Sequence, residues 1–93
     1  MTSPDQPYRV AAAGSARRDL RRLPGKIAAA IVEFITGPLA GNPQRLSKPL
    51  RGPLDGYRSA RRGDYRVVLR VDEHEHTVVI VSIRHRAHFY RPR

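Results

Sequence analysis

YRVVLRVDEHEHTVVIVSIRH, residues 65–85, reads as two strands joined by a short charged loop. In YRVVLRV (65–71), Tyr65, Val67, Leu69 and Val71 alternate with Arg66, Val68 and Arg70. That period of two sends successive side chains to opposite faces of a sheet. DEHEH (72–76) is a polar hairpin loop, and the HEH within it reads as solvated loop rather than as a metal site. TVVIVSIRH (77–85) is apolar almost throughout, as expected of a strand with neighbours on both sides. Working backwards, Gly63-Asp64 marks a turn and YRSARR (57–62) a polar strand, so three consecutive strands close the chain.

Upstream the period changes. MTSPDQP (1–7) carries two prolines and no apolar pattern and reads as a loose tail, and YRVAAAG (8–14) is a short strand closed by glycine. In SARRDLRRL (15–23), Ala16, Leu20 and Leu23 recur at helical spacing, Arg17, Arg18, Arg21 and Arg22 coat the outside, and Ser15 is placed to cap the first turn. Pro24 ends that helix and opens a second over 24–41, with Ile27, Ile31, Phe34 and Ile35 as its apolar stripe and Gly37-Pro38 as its end or kink. NPQRLSKPLRGPLDG (42–56) holds three prolines and two glycines and reads as an irregular connection anchored by Leu46, Leu50 and Leu54. The expected architecture is a single α+β domain over residues 1–93. A small antiparallel sheet in the order β-α-α-β-β-β carries a helical hairpin on one face.

Charge narrows the partners. The 93 residues carry 18 Lys and Arg against 8 Asp and Glu, a formal net charge of +10. Lys26 and Lys48 are the two lysines, which leaves sixteen arginines. Arginine presents a planar donor fork that fits phosphate oxygens in pairs, so nucleic acid or an acidic protein is the expected partner. Cysteine is absent, which removes disulfide and thiolate chemistry. The longest apolar stretch, IAAAIV (27–32), is far short of a membrane span, so a soluble cytoplasmic protein with no membrane partner is expected.

The alternation also places the candidate site. If helices cover the Tyr65/Val67/Leu69/Val71 face, Arg66 and Arg70 emerge on the other. Arg58, Arg61 or Arg62 from the preceding strand and Arg84 or Arg86 from the following one are expected to reach the same surface. Crowded guanidinium groups repel and await a counter-charge, either RNA phosphate or an acidic partner segment.

GYRSARRGDYRVVLRVD (56–72) followed by IRHRAHFY (83–90) resembles the RelE toxins of bacterial toxin–antitoxin pairs. The shared pattern is a leucine-rich loop, G-x-[YW]-R, G-[DST]-Y-R-[VL]-[VIL], a hairpin, and H-R-x-x-x-Y near the end. The resemblance implies a RelE-like fold and ribosome-dependent cleavage of mRNA in the decoding site. Attack would come from the RNA's own 2′-hydroxyl, with neither metal nor cofactor. It also implies a small acidic RelB-like antitoxin, and promoter binding by the toxin–antitoxin complex through that antitoxin. By motif match, Arg66 and Arg86 stabilise the transition-state phosphate, Tyr90 stacks on a base or relays a proton, and Arg58 holds the RNA backbone. Arg61, Arg62, Arg70 and Arg84 are further RNA contacts. Ala60 falls where many relatives carry a base. His85 is a candidate for proton transfer and His88 for RNA contact or proton transfer, since histidine titrates near neutral pH; both also read as packing or exposed residues. Two other classes fit the same residues: a ParE-like toxin that inhibits DNA gyrase, and a nucleic-acid-binding module without catalysis.

Overall fold

The computed structural model describes residues 6–89, and the 65–85 stretch forms the middle of its sheet. In chain order the elements are β1 (Arg9–Ala12), α1 (Gly14–Arg21), α2 (Gly25–Phe34), a π-helical turn (Ile35–Leu39) and α3 (Pro43–Leu46). There follow β2 (Lys48–Pro49), a 3-10 turn (Gly52–Leu54), β3 (Arg58–Arg62), β4 (Tyr65–Asp72), β5 (Thr77–His85) and a terminal helical turn α4 (Arg86–Phe89). The strands lie side by side in the order β1-β5-β4-β3-β2. The class is α+β with the helical hairpin on one face, as the periodicities indicate.

Two features depart from the expected sheet. It is mixed rather than antiparallel, because β1 runs parallel to β5 with Val10 opposite Val78 and Ala12 opposite Ile80. That direction lets α1 continue along the β5 edge where β1 stops: Ala13 N–H still donates to Ile80 C=O at 2.9 Å, and the helix begins one residue later. The 42–56 connection is also more ordered than its prolines suggest. Asn42 caps α3 by accepting from the Arg45 amide at 3.2 Å, Pro43 fills the first helical position, and Lys48–Pro49 pairs with β3 as a fifth strand. Of its expected leucine anchors Leu50 is partly buried, but Leu46 and Leu54 are 39% and 46% exposed, while Pro43 and, just upstream, Leu39 are fully buried.

The helix stripes are as spaced. Ala16, Ile31, Ile35 and Leu39 pack with Ala60, Val67, Leu69, Val78, Ile80 and Ile83, and Leu20, Leu23, Ile27 and Phe34 close the margins. Pro38 has no N–H to give the helical ladder, and the backbone there widens into the π turn before ending at Ala40. Gly63, at φ 60°, makes the two-residue turn between β3 and β4 at no steric cost. Leu69 sits at the centre of this core, fully buried. Leu69→Ala is expected to lower unfolding free energy by about 2–5 kcal/mol in urea titration, from lost transfer energy plus the residual cavity.

A polar latch joins the chain's start to the β4–β5 loop. Tyr8 stacks on His76 with ring centroids 3.8 Å apart, and its hydroxyl donates to Glu73 Oε1 at 2.7 Å. Gln44 donates to the other Glu73 oxygen, and His76 Nε2–H donates to Gln6 C=O at 2.9 Å. So His76, at φ 51°, is engaged rather than solvated, whereas His74 stays exposed. The hydrogen bond to Glu73, with some burial, raises the Tyr8 phenol above its ordinary 10.0. A phenol raised on folding stabilises while protonated, so this contribution is complete below pH 10 and fades as pH climbs through the folded value. Tyr8→Phe is expected to flatten the fall in unfolding midpoint that the parent should show as pH climbs above about 10.

Candidate active site

Directly opposite residues of neighbouring strands share a face, so the register assigns each arginine a side. Arg61 of β3 faces Arg66 of β4, and Arg66 faces Arg84 of β5. Three arginines therefore form one row across three strands, on the face away from the helices. The neighbouring row is Ser59, Val68 and Ser82. Val68 is only 5% exposed even though the helix residues of the core pack on the opposite face.

The row exists because β5 contains one extra residue. Val68 pairs with Ser82 and Leu69 with Ile80, which leaves Val81 without an opposite number. Such a bulge reverses the phase of everything beyond it. Before it, Val78 and Ile80 face the helices; after it, Ile83 and His85 do, and Ser82 and Arg84 turn to the open face. An unbroken alternation would have aimed Arg84 at the helix layer and Ile83 at solvent. The backbone groups at the bulge lie beyond the end of β1, and α1 satisfies them: Ser15 Oγ–H donates to Val81 C=O at 2.6 Å, and Asp19 Oδ2 accepts from the Ile83 amide at 2.9 Å. Ser15 is thus not the helix cap; Ala13 holds that position without a side-chain bond.

The other expected site residues divide by face. Arg70 shares the open face with Arg66 but stands four residues further along β4, about 13 Å away. Arg86 begins the terminal helical turn at the same end of the sheet as the row; its amide donates to Asp64 C=O at 2.7 Å and its Nη1 lies 3.8 Å from Asp64 Oδ1. His88 falls in that turn, and Tyr90 lies outside the described residues. Arg58, Arg62 and His85 do not reach the open face. Arg62 and His85 flank Tyr65 on the helix side, where the His85 and Tyr65 rings meet edge to face at 5.1 Å and His85 Nδ1 accepts from the Ala87 amide at 3.1 Å. Arg58 turns toward the α3 connection, donating through Nε to Ser47 Oγ at 2.6 Å and through Nη2 to the carbonyls of Ser47 and Gln44 at 2.9 and 3.1 Å. The signal for this division was Ala60, the sole apolar residue of RSARR: at 1% exposure it faces the core and carries Arg58 and Arg62 with it.

Beside the row, at the β5 edge, lies a cavity of about 310 Å3 lined by Asp19, Arg22, Tyr65, Arg84 and His85 among others. Asp19 Oδ2 stands 4.0 Å from Arg84 Nε.

Residues 10–90 match the family model described as the ParE toxin of the type II toxin–antitoxin system parDE. The chain is 58% identical over 89 residues to Toxin RelE of Mycobacterium tuberculosis, covering 96% of this chain and 92% of that one. It is 52% identical over 85 residues to Toxin RelG of the same organism, covering 91% and 98%. The crystal structure of the RelBE2 toxin–antitoxin complex from M. tuberculosis superposes with a TM-score of 0.84 at 52% identity, covering 87% of this chain and 93% of that chain. The chain belongs to the RelE/ParE family of type II toxins.

Within this RelE-family domain the two faces of β3 do different work. Arg58 sits in a set of charge-assisted hydrogen bonds that ties α3 and the buried Ser47 to the sheet, whereas Arg61 adds a like charge next to Arg66. Arg58→Ala is expected to lower unfolding free energy by about 1–3 kcal/mol, the range for hydrogen bonds from a charged donor. Arg61→Ala should leave it within about 0.5 kcal/mol or raise it, as relief of like-charge repulsion predicts. Urea denaturation of the two variants side by side checks the assignment.

Proposed function

We propose that this RelE-family toxin is a ribosome-dependent endoribonuclease, cutting mRNA in the ribosomal A site by attack of the RNA's own 2′-hydroxyl, without a metal ion. The observation that carries the reading is the row Arg61–Arg66–Arg84 on the open face of the sheet. In-line attack on a phosphodiester builds negative charge on the non-bridging oxygens, and guanidinium groups held in place beforehand stabilise that charge. Arginine keeps its proton at any relevant pH, so the row handles charge and not proton transfer. Proton delivery to the 5′ leaving oxygen is assigned to Tyr90, with Arg86 holding the phosphate from the rim and Arg70 meeting the RNA backbone further along the face. His85, engaged with Tyr65 and the Ala87 amide on the other side of the sheet, receives no proton-transfer role.

A basic sheet face reads backbone charge rather than base identity, so the ribosome supplies the alignment of the cut. An acidic RelB-like antitoxin is the proposed neutralising partner, by analogy with the RelBE2 complex, and the proposed contact to promoter DNA runs through that antitoxin. One observation favours a second reading, a gyrase-inhibiting toxin: the matching family model is described by parDE. The arginine row favours the nuclease.

With purified protein and ribosomes carrying a programmed mRNA, Arg66→Ala and Arg84→Ala are each expected to slow cleavage by about 10²- to 10³-fold, the usual loss for one transition-state donor. Equal cleavage by parent and both variants removes the site. Absence of cleavage together with inhibited supercoiling by DNA gyrase moves the protein to the second reading.

A further inference from the structure

We infer that Asp19, on helix α1, is a positioning residue that aims Arg84 into the arginine row; this rests on the nuclease reading above. Asp19 is the single acid within SARRDLRRL, between Arg17, Arg18, Arg21 and Arg22. A surface ion-pair role would turn its carboxylate outward among those arginines. Instead its side chain is only 15% exposed and reaches the β5 edge. There one oxygen, Oδ2, meets two groups: the Ile83 amide at 2.9 Å and Arg84 Nε at 4.0 Å.

Those two contacts control the same thing. The Ile83 amide is the first edge N–H beyond the Val81 bulge, past the last residue of β1. With no acceptor it would be a half-buried orphan, and the strand would gain by sliding back into regular alternation. Regular alternation sends Arg84 toward the helices, away from Arg66. The carboxylate therefore holds the bulge whose phase puts Arg84 in the row. Its charge also offsets part of the repulsion that Arg66, opposite, exerts on Arg84. An approach through Nε leaves the two Nη nitrogens of the fork for a phosphate. Ser15, donating to Val81 C=O, is the second tether of the same bulge. Asp19 touches no RNA in this scheme.

The test is a double-mutant cycle on the full chain. Asp19→Ala is expected to slow cleavage on programmed ribosomes by about tenfold or more, the order lost when a reacting group is displaced by part of an ångström. In the Arg84→Ala background the same change should cost less than about twofold, since the guanidinium it positions is gone. Amide exchange adds a readout independent of activity: Ile83 protection should drop about tenfold in Asp19→Ala and persist in Asp19→Asn, which keeps an acceptor oxygen. Asp19→Asn loses the charge facing Arg84 and should still cleave more slowly than the parent, again only when Arg84 is present. A folded Asp19→Ala that cleaves like the parent overturns the inference, and so does a loss that multiplies with that of Arg84→Ala. Should Asp19→Ala fail to fold, the asparagine variant decides: parental cleavage by it overturns the inference, and an Arg84-dependent loss upholds it. If the parent itself cuts no RNA, the nuclease reading falls alone when Ile83 exchange shifts in Asp19→Ala and the Arg84 Nε–H resonance shifts in both Asp19 variants; if either stays at its parental value, the positioning role falls with it.

Discussion

A strand has a period of two and no means of correcting it except by adding a residue. In β5 the chain needs Val78, Ile80 and Ile83 all in the core, and those positions cannot share a face without one extra residue between them. Val81 is that residue. Its insertion lets the last strand contribute apolar side chains to the helix layer along its whole length, and it releases Ser82 and Arg84 to the opposite face. Burying Arg84 instead would cost several kcal/mol for an unpaired charge, so core and basic face depend on the same backbone irregularity. The irregularity is tolerable because β1 ends at Ala12, leaving that stretch of β5 open at its edge for α1 side chains.

The price of the arginine row is electrostatic, and the fold meets it by keeping the two faces distinct. Cross-strand like charges are destabilising, while the helix side holds every member of the main core cluster. Arg58 shows the division most clearly. It belongs to the same five-residue strand as Arg61, yet its donors are spent on Ser47 and Gln44, so one strand supplies a structural arginine on one face and a free-face arginine on the other.

How much of this was legible in the residues follows from where a pattern has one solution. YRVVLRV admits a single phase, so the faces of Arg66 and Arg70 were readable, as were the stripes Ala16/Leu20/Leu23 and Ile27/Ile31/Phe34/Ile35. TVVIVSIRH does not: with apolar residues at 78, 79, 80, 81 and 83, either phase looks acceptable, and a bulge leaves no mark in such a run. Arg84 and His85 were therefore readable as near the site, but not which of the two takes the open face. RSARR carried a weak signal in Ala60 that four polar neighbours obscured. The role of Asp19 was hidden for a different reason. A lone acid between arginines looks like a surface ion pair, and only the end of β1 at Ala12 reveals an open edge for it to serve.

The row also dictates how the domain must respond to whatever binds it. Three guanidinium groups in register repel in the free protein, and any anion that bridges them removes that repulsion as well as making its own contacts. Binding at the row and resistance to unfolding are then two expressions of one free energy, because a ligand that binds the folded state alone stabilises it by mass action. The same logic makes occupants of the face exclusive. A carboxylate segment and an RNA phosphate would compete for the same donors, so a partner need not deform the domain to silence it. On the nuclease reading, covering the charge would be sufficient, and the Val81 bulge, by fixing where that charge stands, fixes what would have to be covered.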